Sequence, residues 1–211
     1  MRNEYENEAF FQQYAQMSRS REGLSAAGEW HQLKPLFPTL EGKAVLDLGC
    51  GYGWHCKFAV EQGAEEYEYP EAAWDCVVSN LALHYIEDLN SIFEKVHRTL
   101  KKDGIFLFNI EHPVFTAGVG QDWAYGKDGT PLYWPIDQYF MPGERITHFL
   151  GCEVRKQHHT LTQILMGLLH SGFVLEAVEE AEPSVEMLDI PGMRDELRRP
   201  MMLLVRARAI H

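Results

Sequence analysis

Nine residues, Val45 to Gly53, read VLDLGCGYG: a short strand-like run ending in an aspartate, followed by glycines at positions 49, 51 and 53. Glycine reaches positive φ without penalty and, having no Cβ, lets another molecule lie against the main chain. A buried strand that stops at so bare a turn points to an α/β fold in which a ligand rests on the turn. A tight strand-to-helix turn with no ligand is the alternative, and the flanking sequence decides between them.

Those flanks alternate between strands and helices. Lys43 to Leu48 and Asp75 to Asn80 (DCVVSN) read as buried strands, and Ile105 to Ile110 (IFLFNI) as a third. Gly53 to Gln62 has the pattern of the helix leaving the turn. Leu89 to Leu100 carries Ile92, Phe93, Val96 and Leu100 on one face. Continuous apolar strands separated by helices predict a parallel sheet covered on both sides. Upstream, Tyr5, Ala9, Phe10, Tyr14 and Met17 stand at helical spacing, the run SRSREG ends that helix, and a second is expected from Ser25 to Leu36. Downstream, residues 111 to 143 are rich in Pro, Gly, Trp and Tyr and lack either periodicity, which marks a lid or binding segment. Arg145 to Thr160 alternates enough for one or two strands, Leu161 to Leu169 is a helix, and Phe173 to Ala181 and Met201 to Ala209 are the last strands.

Composition narrows the classes of function. A net charge of -12 without a basic stripe disfavours a nucleic-acid partner. No apolar run is long enough to span a bilayer, and the charged, amphipathic N-terminus has no signal-peptide pattern. The cysteines at 50, 56, 76 and 152 form no CxxC pair and read as reduced residues, so a cytoplasmic location is expected.

The spacing of Gly49, Gly51 and Gly53 is GxGxG, not the GxGxxG of nicotinamide-binding turns. Together with WDCVVSNLALHYIEDL and LKKDGIFLFNI, VLDLGCGYG resembles the class I S-adenosylmethionine-dependent methyltransferases of the UbiE-like, type 11 small-molecule branch, strongly over residues 43 to 110. The resemblance implies a single Rossmann-like domain over residues 1–211. Its seven-stranded, mostly parallel sheet would end in an antiparallel C-terminal edge pair, with residues 1–40 as a helical cap and 111–160 as a lid. It implies S-adenosylmethionine as cofactor, with the peptide groups of Gly49, Cys50 and Gly51 along its methionine part and Asp47 fixing the turn. Asn80, Leu81 and His84 would stand beside it, and Tyr14 and Arg19 (with Arg21) could fold over it. For Asp47 the alternative is a backbone cap, for His84 a structural role, and for the arginines plain solvation.

Catalysis of this kind needs alignment of donor and acceptor and exclusion of water, with a base only where the acceptor must lose a proton. Glu111 and His112, at the end of the third apolar strand, are the candidates for substrate contact or base, although a histidine before proline is often structural. Tyr133, Trp134 and Tyr139 could wall a small-molecule acceptor. His158 and His159 read as residues of a helix start and no metal site is expected.

One part of the family pattern is missing. An acidic residue for the ribose hydroxyls, about 20 residues past the turn, should end a second strand, with a helix and third strand to follow. Only residues 54 to 74 stand in that interval, and EEYEYPEAAWD reads as the loop before the next strand. A strand–helix–strand block is therefore expected to be absent between Ala64 and Glu65, by deletion or because these residues are not covalent neighbours in the full protein. The second is favoured, since deleting interior strands would leave unpaired backbone groups. A chain break is expected there. The rival functions are a degenerate, non-catalytic binding protein and a nicotinamide oxidoreductase.

Overall fold

The computed structural model describes residues 8–49 and 74–211. The helix expected from Gly53, the loop to Ala73, and the break between Ala64 and Glu65 lie outside the described residues. A five-stranded sheet forms the centre, in the order β1 (Val45–Asp47), β2 (Trp74–Asn80), β3 (Leu100–Glu111), β9 (Met202–Ala209), β8 (Phe173–Ala181). The first three strands are parallel, and β9 runs antiparallel between β3 and β8. The antiparallel edge pair is thus where the sequence puts it. Of the seven strands expected, five are present among the described residues, and β1 is the edge of this sheet.

Period-two alternation in β3 sends Phe106, Phe108 and Ile110 to one face and Ile105 and Leu107 to the other, all buried. The first face packs on α4 (Leu89–Thr99) and α6 (Leu161–His170) through Phe93, Val96, Ile164 and Leu168. Asp88 caps α4 by accepting from the Ser91 amide, and Thr160 and Gln163 form a capping box on α6. The two helices approach closely at Gly167, where a Cβ would come within 2.6 Å of Asn90 Oδ1.

The opposite face is covered by the N-terminal segment through Leu33 and Leu36. This segment is more broken than its sequence suggests. Helix α1 (Glu8–Gln16) is followed by α2 (Ser18–Glu22), so the polar run continues helical. The single helix expected from Ser25 is replaced by a 3₁₀ turn at Gly23–Ala26, α3 (Trp30–Leu33) and another 3₁₀ turn at Lys34–Leu36. Ser25 donates to the Glu22 carbonyl and caps nothing, and Pro35 has no amide with which to extend α3.

Between β3 and α6 the chain builds α5 (Pro113–Thr116), a small hairpin of β4 (Ala124–Tyr125) and β5 (Pro131–Tyr133), and a longer one of β6 (Gly143–Phe149) and β7 (Cys152–His158). The second hairpin agrees with the alternation of Arg145 to Thr160. Its turn reaches α1, where the Gln13 amide lies beside Gly151.

Candidate active site

The carboxyl ends of β1, β2 and β3 lie side by side, with Asp47 level with Val78 and Asn80 level with Asn109. This is the edge at which open α/β sheets bind ligands. As the chain leaves β1, the Leu48 amide donates to the Val78 carbonyl at 2.7 Å, and Ser79 Oγ donates to the Leu48 carbonyl at 3.0 Å. Gly49 follows at φ +83°, and a Cβ there would stand 2.5 Å from Ala82 Cβ. Both conformation and space therefore require glycine. Leu81, across the turn, is held at φ +54° with its amide donating to the Asn109 carbonyl at 2.8 Å. Left-handed backbone in a leucine costs on the order of 1 kcal/mol or more and is typical of binding loops.

Beneath that loop lies a buried polar network. Asn109 Nδ2 donates to Asn80 Oδ1 at 2.8 Å and to Glu29 Oε1 at 3.1 Å. Glu29, at the start of α3, is buried, so the N-terminal segment contributes directly to the strand ends.

The next cluster is built from side chains. Glu111 Oε1 accepts from Lys156 Nζ at 2.5 Å, and Lys156 also donates to Gln121 Oε1 at 3.3 Å. His84 Nε2 stands 3.9 Å from Glu111 Oε1. Glu111, Lys156 and His84 are 8%, 4% and 3% exposed, so this ion pair sits out of water beside a histidine. Burial pushes the His84 imidazole down to about 4; nearby Glu111 opposes the shift and Lys156 adds to it. His84 is therefore neutral at pH 7.

His112 is placed differently. Its Nδ1 accepts from the Val114 amide at 3.0 Å, capping α5, and its Nε2 is 3.0 Å from Glu180 Oε1 in a geometry that falls short of an aligned hydrogen bond. Burial lowers its pKa and Glu180 works against that shift. His158 lies between Thr116 Oγ1 at 2.6 Å and the Tyr139 carbonyl at 2.8 Å, and His159 is 2.9 Å from the Ile86 carbonyl. His158 thus joins two parts of the segment between residues 111 and 160, His159 ties that segment to the loop after β2, and the helix cap itself is Thr160. Among the described residues no group of three or more His, Cys, Asp or Glu could hold a metal.

Asp47, Gly49, Asn80 and Leu81 are thus brought to one edge, with His84 and Glu111 adjoining. Tyr14 is half-buried on α1 and Arg19 falls in α2. Cys50 and Gly51 lie outside the described residues. Glu29, Asn109, Gln121 and Lys156 escaped the sequence reading. Two of them left a trace: Asn109 is polar inside FLFNI, and Lys156 occupies an inward position of β7 between Val154 and His158.

The fold and the strand-end site define an α/β protein of the nucleotide-cofactor type. A family model for a methyltransferase domain matches residues 58–108. A crystal structure of a Listeria monocytogenes protein, assigned as an S-adenosylmethionine-dependent methyltransferase, is 42% identical with a TM-score of 0.83, covering 90% of this chain and 100% of that one. A Mesorhizobium loti S-adenosylmethionine-dependent methyltransferase is 35% identical with a TM-score of 0.79, over 88% and 100%. An uncharacterized Haemophilus influenzae protein is 25% identical over 98% of this chain and 96% of its own length. The chain belongs to the S-adenosylmethionine-dependent methyltransferases. No described helix is long and apolar enough to cross a membrane.

Proposed function

We propose that the chain moves a methyl group from S-adenosylmethionine to a small-molecule acceptor, with the donor's amino-acid tail on the Gly49 turn. The observation that carries this is the turn itself: positive φ and no room for a Cβ, at the carboxyl edge of a parallel sheet. That bare backbone fits a ligand approaching the peptide groups closely. Gly49, with Cys50 and Gly51, would hold the methionine part, Asp47 would fix the turn, and Asn80 and Leu81 would line the site. Tyr14 and Arg19 would belong to the N-terminal cap. When bound, the cofactor supplies an electrophilic methyl group; the protein aligns it with the acceptor and keeps water out.

Residues 111–160 act in this reading as the lid. The β6–β7 hairpin docks through Lys156 on Glu111, and His159 ties the segment following it to the Ile86 carbonyl. Glu111 faces the acceptor as the candidate base, while His112, capping α5 and facing Glu180, shapes the wall beside it. Isothermal titration with S-adenosylmethionine and with NADH tests the reading. Binding of the first alone is expected; binding of neither would indicate a degenerate binding protein, and binding of NADH alone an oxidoreductase.

A further inference from the structure

We propose that Glu111 and Gln121, together with the aromatic rings beside Lys156, form the subsite for the acceptor atom, and that it takes the hydroxyl of a phenol-type compound. This rests on the methyl-transfer reading above. The first support is a concentration of unmade hydrogen bonds. Glu111 Oε2, Gln121 Nε2 and His84 Nδ1 are buried and have no partner among the described residues. All three residues belong to the one cluster joined by the Glu111–Lys156, Lys156–Gln121 and His84–Glu111 contacts. Leaving a buried polar group unsatisfied costs on the order of 1–3 kcal/mol. Three together mark a place for a ligand's polar group.

Charge selects what that group is. Lys156 cancels Glu111 and His84 is neutral, so the cluster offers a counter-ion to neither a cation nor an anion. A carboxylate lone pair and a free amide donor on two residues that share Lys156 suit a neutral group that donates one hydrogen bond and accepts another, and a hydroxyl does both. The surroundings select the carrier. The Phe115 and Phe149 ring centroids lie 5.8 and 5.7 Å from Lys156 Nζ, Phe115 itself stacks on Trp134 at 5.1 Å, and a ligand ring would add to this aromatic group.

An aromatic hydroxyl, with a pKa of about 10 as in tyrosine, can also give up its proton here. The O–H bond breaks, the proton bonds to Glu111 Oε2, and the electron pair stays on oxygen as a phenolate next to the Lys156 ammonium. That oxygen is then the nucleophile. Glu111 returns the proton to water once product has left.

The test uses NMR of protein labelled with ¹³C at the glutamate carboxyls, saturated with S-adenosylhomocysteine, with the Glu111 signal assigned by its loss in Glu111→Gln. Phenol is the probe, and anisole, which lacks the O–H, is the control. Phenol should shift the Glu111 signal saturably and anisole should not. Glu111→Gln should still bind S-adenosylhomocysteine while its affinity for phenol falls at least tenfold, and Gln121→Leu should weaken phenol in the same sense. Equal responses to phenol and anisole, a response to acetate or methylammonium matching that to phenol, or no response to phenol would overturn the assignment. Failure of the wild-type protein to bind S-adenosylhomocysteine is a separate result, and it would remove the methyl-transfer reading itself.

Discussion

The proposed donor and acceptor ends of the site are built from different materials. The donor end is backbone: Gly49 at positive φ, the Leu48 and Leu81 amides tied to neighbouring strands, and a gap that Ala82 leaves no larger than hydrogen. The acceptor end is side chain: a buried ion pair, a neutral histidine and a glutamine drawn from β3, β7 and the segments after β2 and α5. A backbone cradle suits a ligand common to a whole family, since main-chain groups scarcely vary with sequence. A side-chain cluster can be rewritten residue by residue, which is how one fold serves many acceptors.

If this contrast holds, damage at the acceptor end should appear mainly as lost stability and damage at the donor end mainly as lost binding. The largest effect is expected for Lys156→Met, which strands the Glu111 carboxylate in a buried site at a cost of about 3–5 kcal/mol. Urea denaturation measures it, and adding Glu111→Gln should restore much of the loss. A single mutant that costs under about 1 kcal/mol would mean the pair is solvated like a surface salt bridge.

His84 gives the next effect, through pH. Its folded pKa of about 4 lies below the ordinary 6.5, so between these values the unfolded chain binds a proton that the folded chain does not. Stability then falls as pH drops through that window, by roughly 3 kcal/mol in full and roughly 2 between pH 6.5 and 5. Urea midpoints at pH 7 and pH 5 should show a steeper decline in wild type than in His84→Phe. Matching slopes would show that His84 titrates normally.

At the donor end, Gly49→Val should weaken S-adenosylhomocysteine on the order of tenfold to a hundredfold, the equivalent of about 1–3 kcal/mol of strain and lost contact. Pairing Gly49→Ala with Ala82→Gly relieves the steric clash but not the positive φ, so calorimetry should find only part of the affinity recovered. The smallest effect is expected at Thr160→Ala, which removes the α6 cap at a cost of about 1 kcal/mol and should leave ligand affinity unchanged.

The same contrast explains what could be read before the structure. Val45 to Gly53 is contiguous, and its need for bare backbone is written in consecutive letters, so the strand end and the Gly49 turn were legible. Asn80 and Leu81 followed because β2 ends there. Glu111 was visible as a strand end, but its partners Lys156, Gln121 and His84 lie 45, 10 and 27 positions away, and nothing local marks them as neighbours. The N-terminal segment misled for another reason: the stretch from Ser25 to Leu36 reads as one helix, while Pro35, lacking an amide to donate, helps leave it as short turns that cover the sheet. His112 shows the limit of position alone. It stands at the predicted strand end, yet one nitrogen caps α5 and the other faces Glu180.

A crystal structure with S-adenosylhomocysteine is the most direct test of the central claim. The account predicts the amino-acid tail against the main chain at Gly49, within contact of Asp47 and Asn80. Clear density for the ligand at any other edge of the sheet would contradict it.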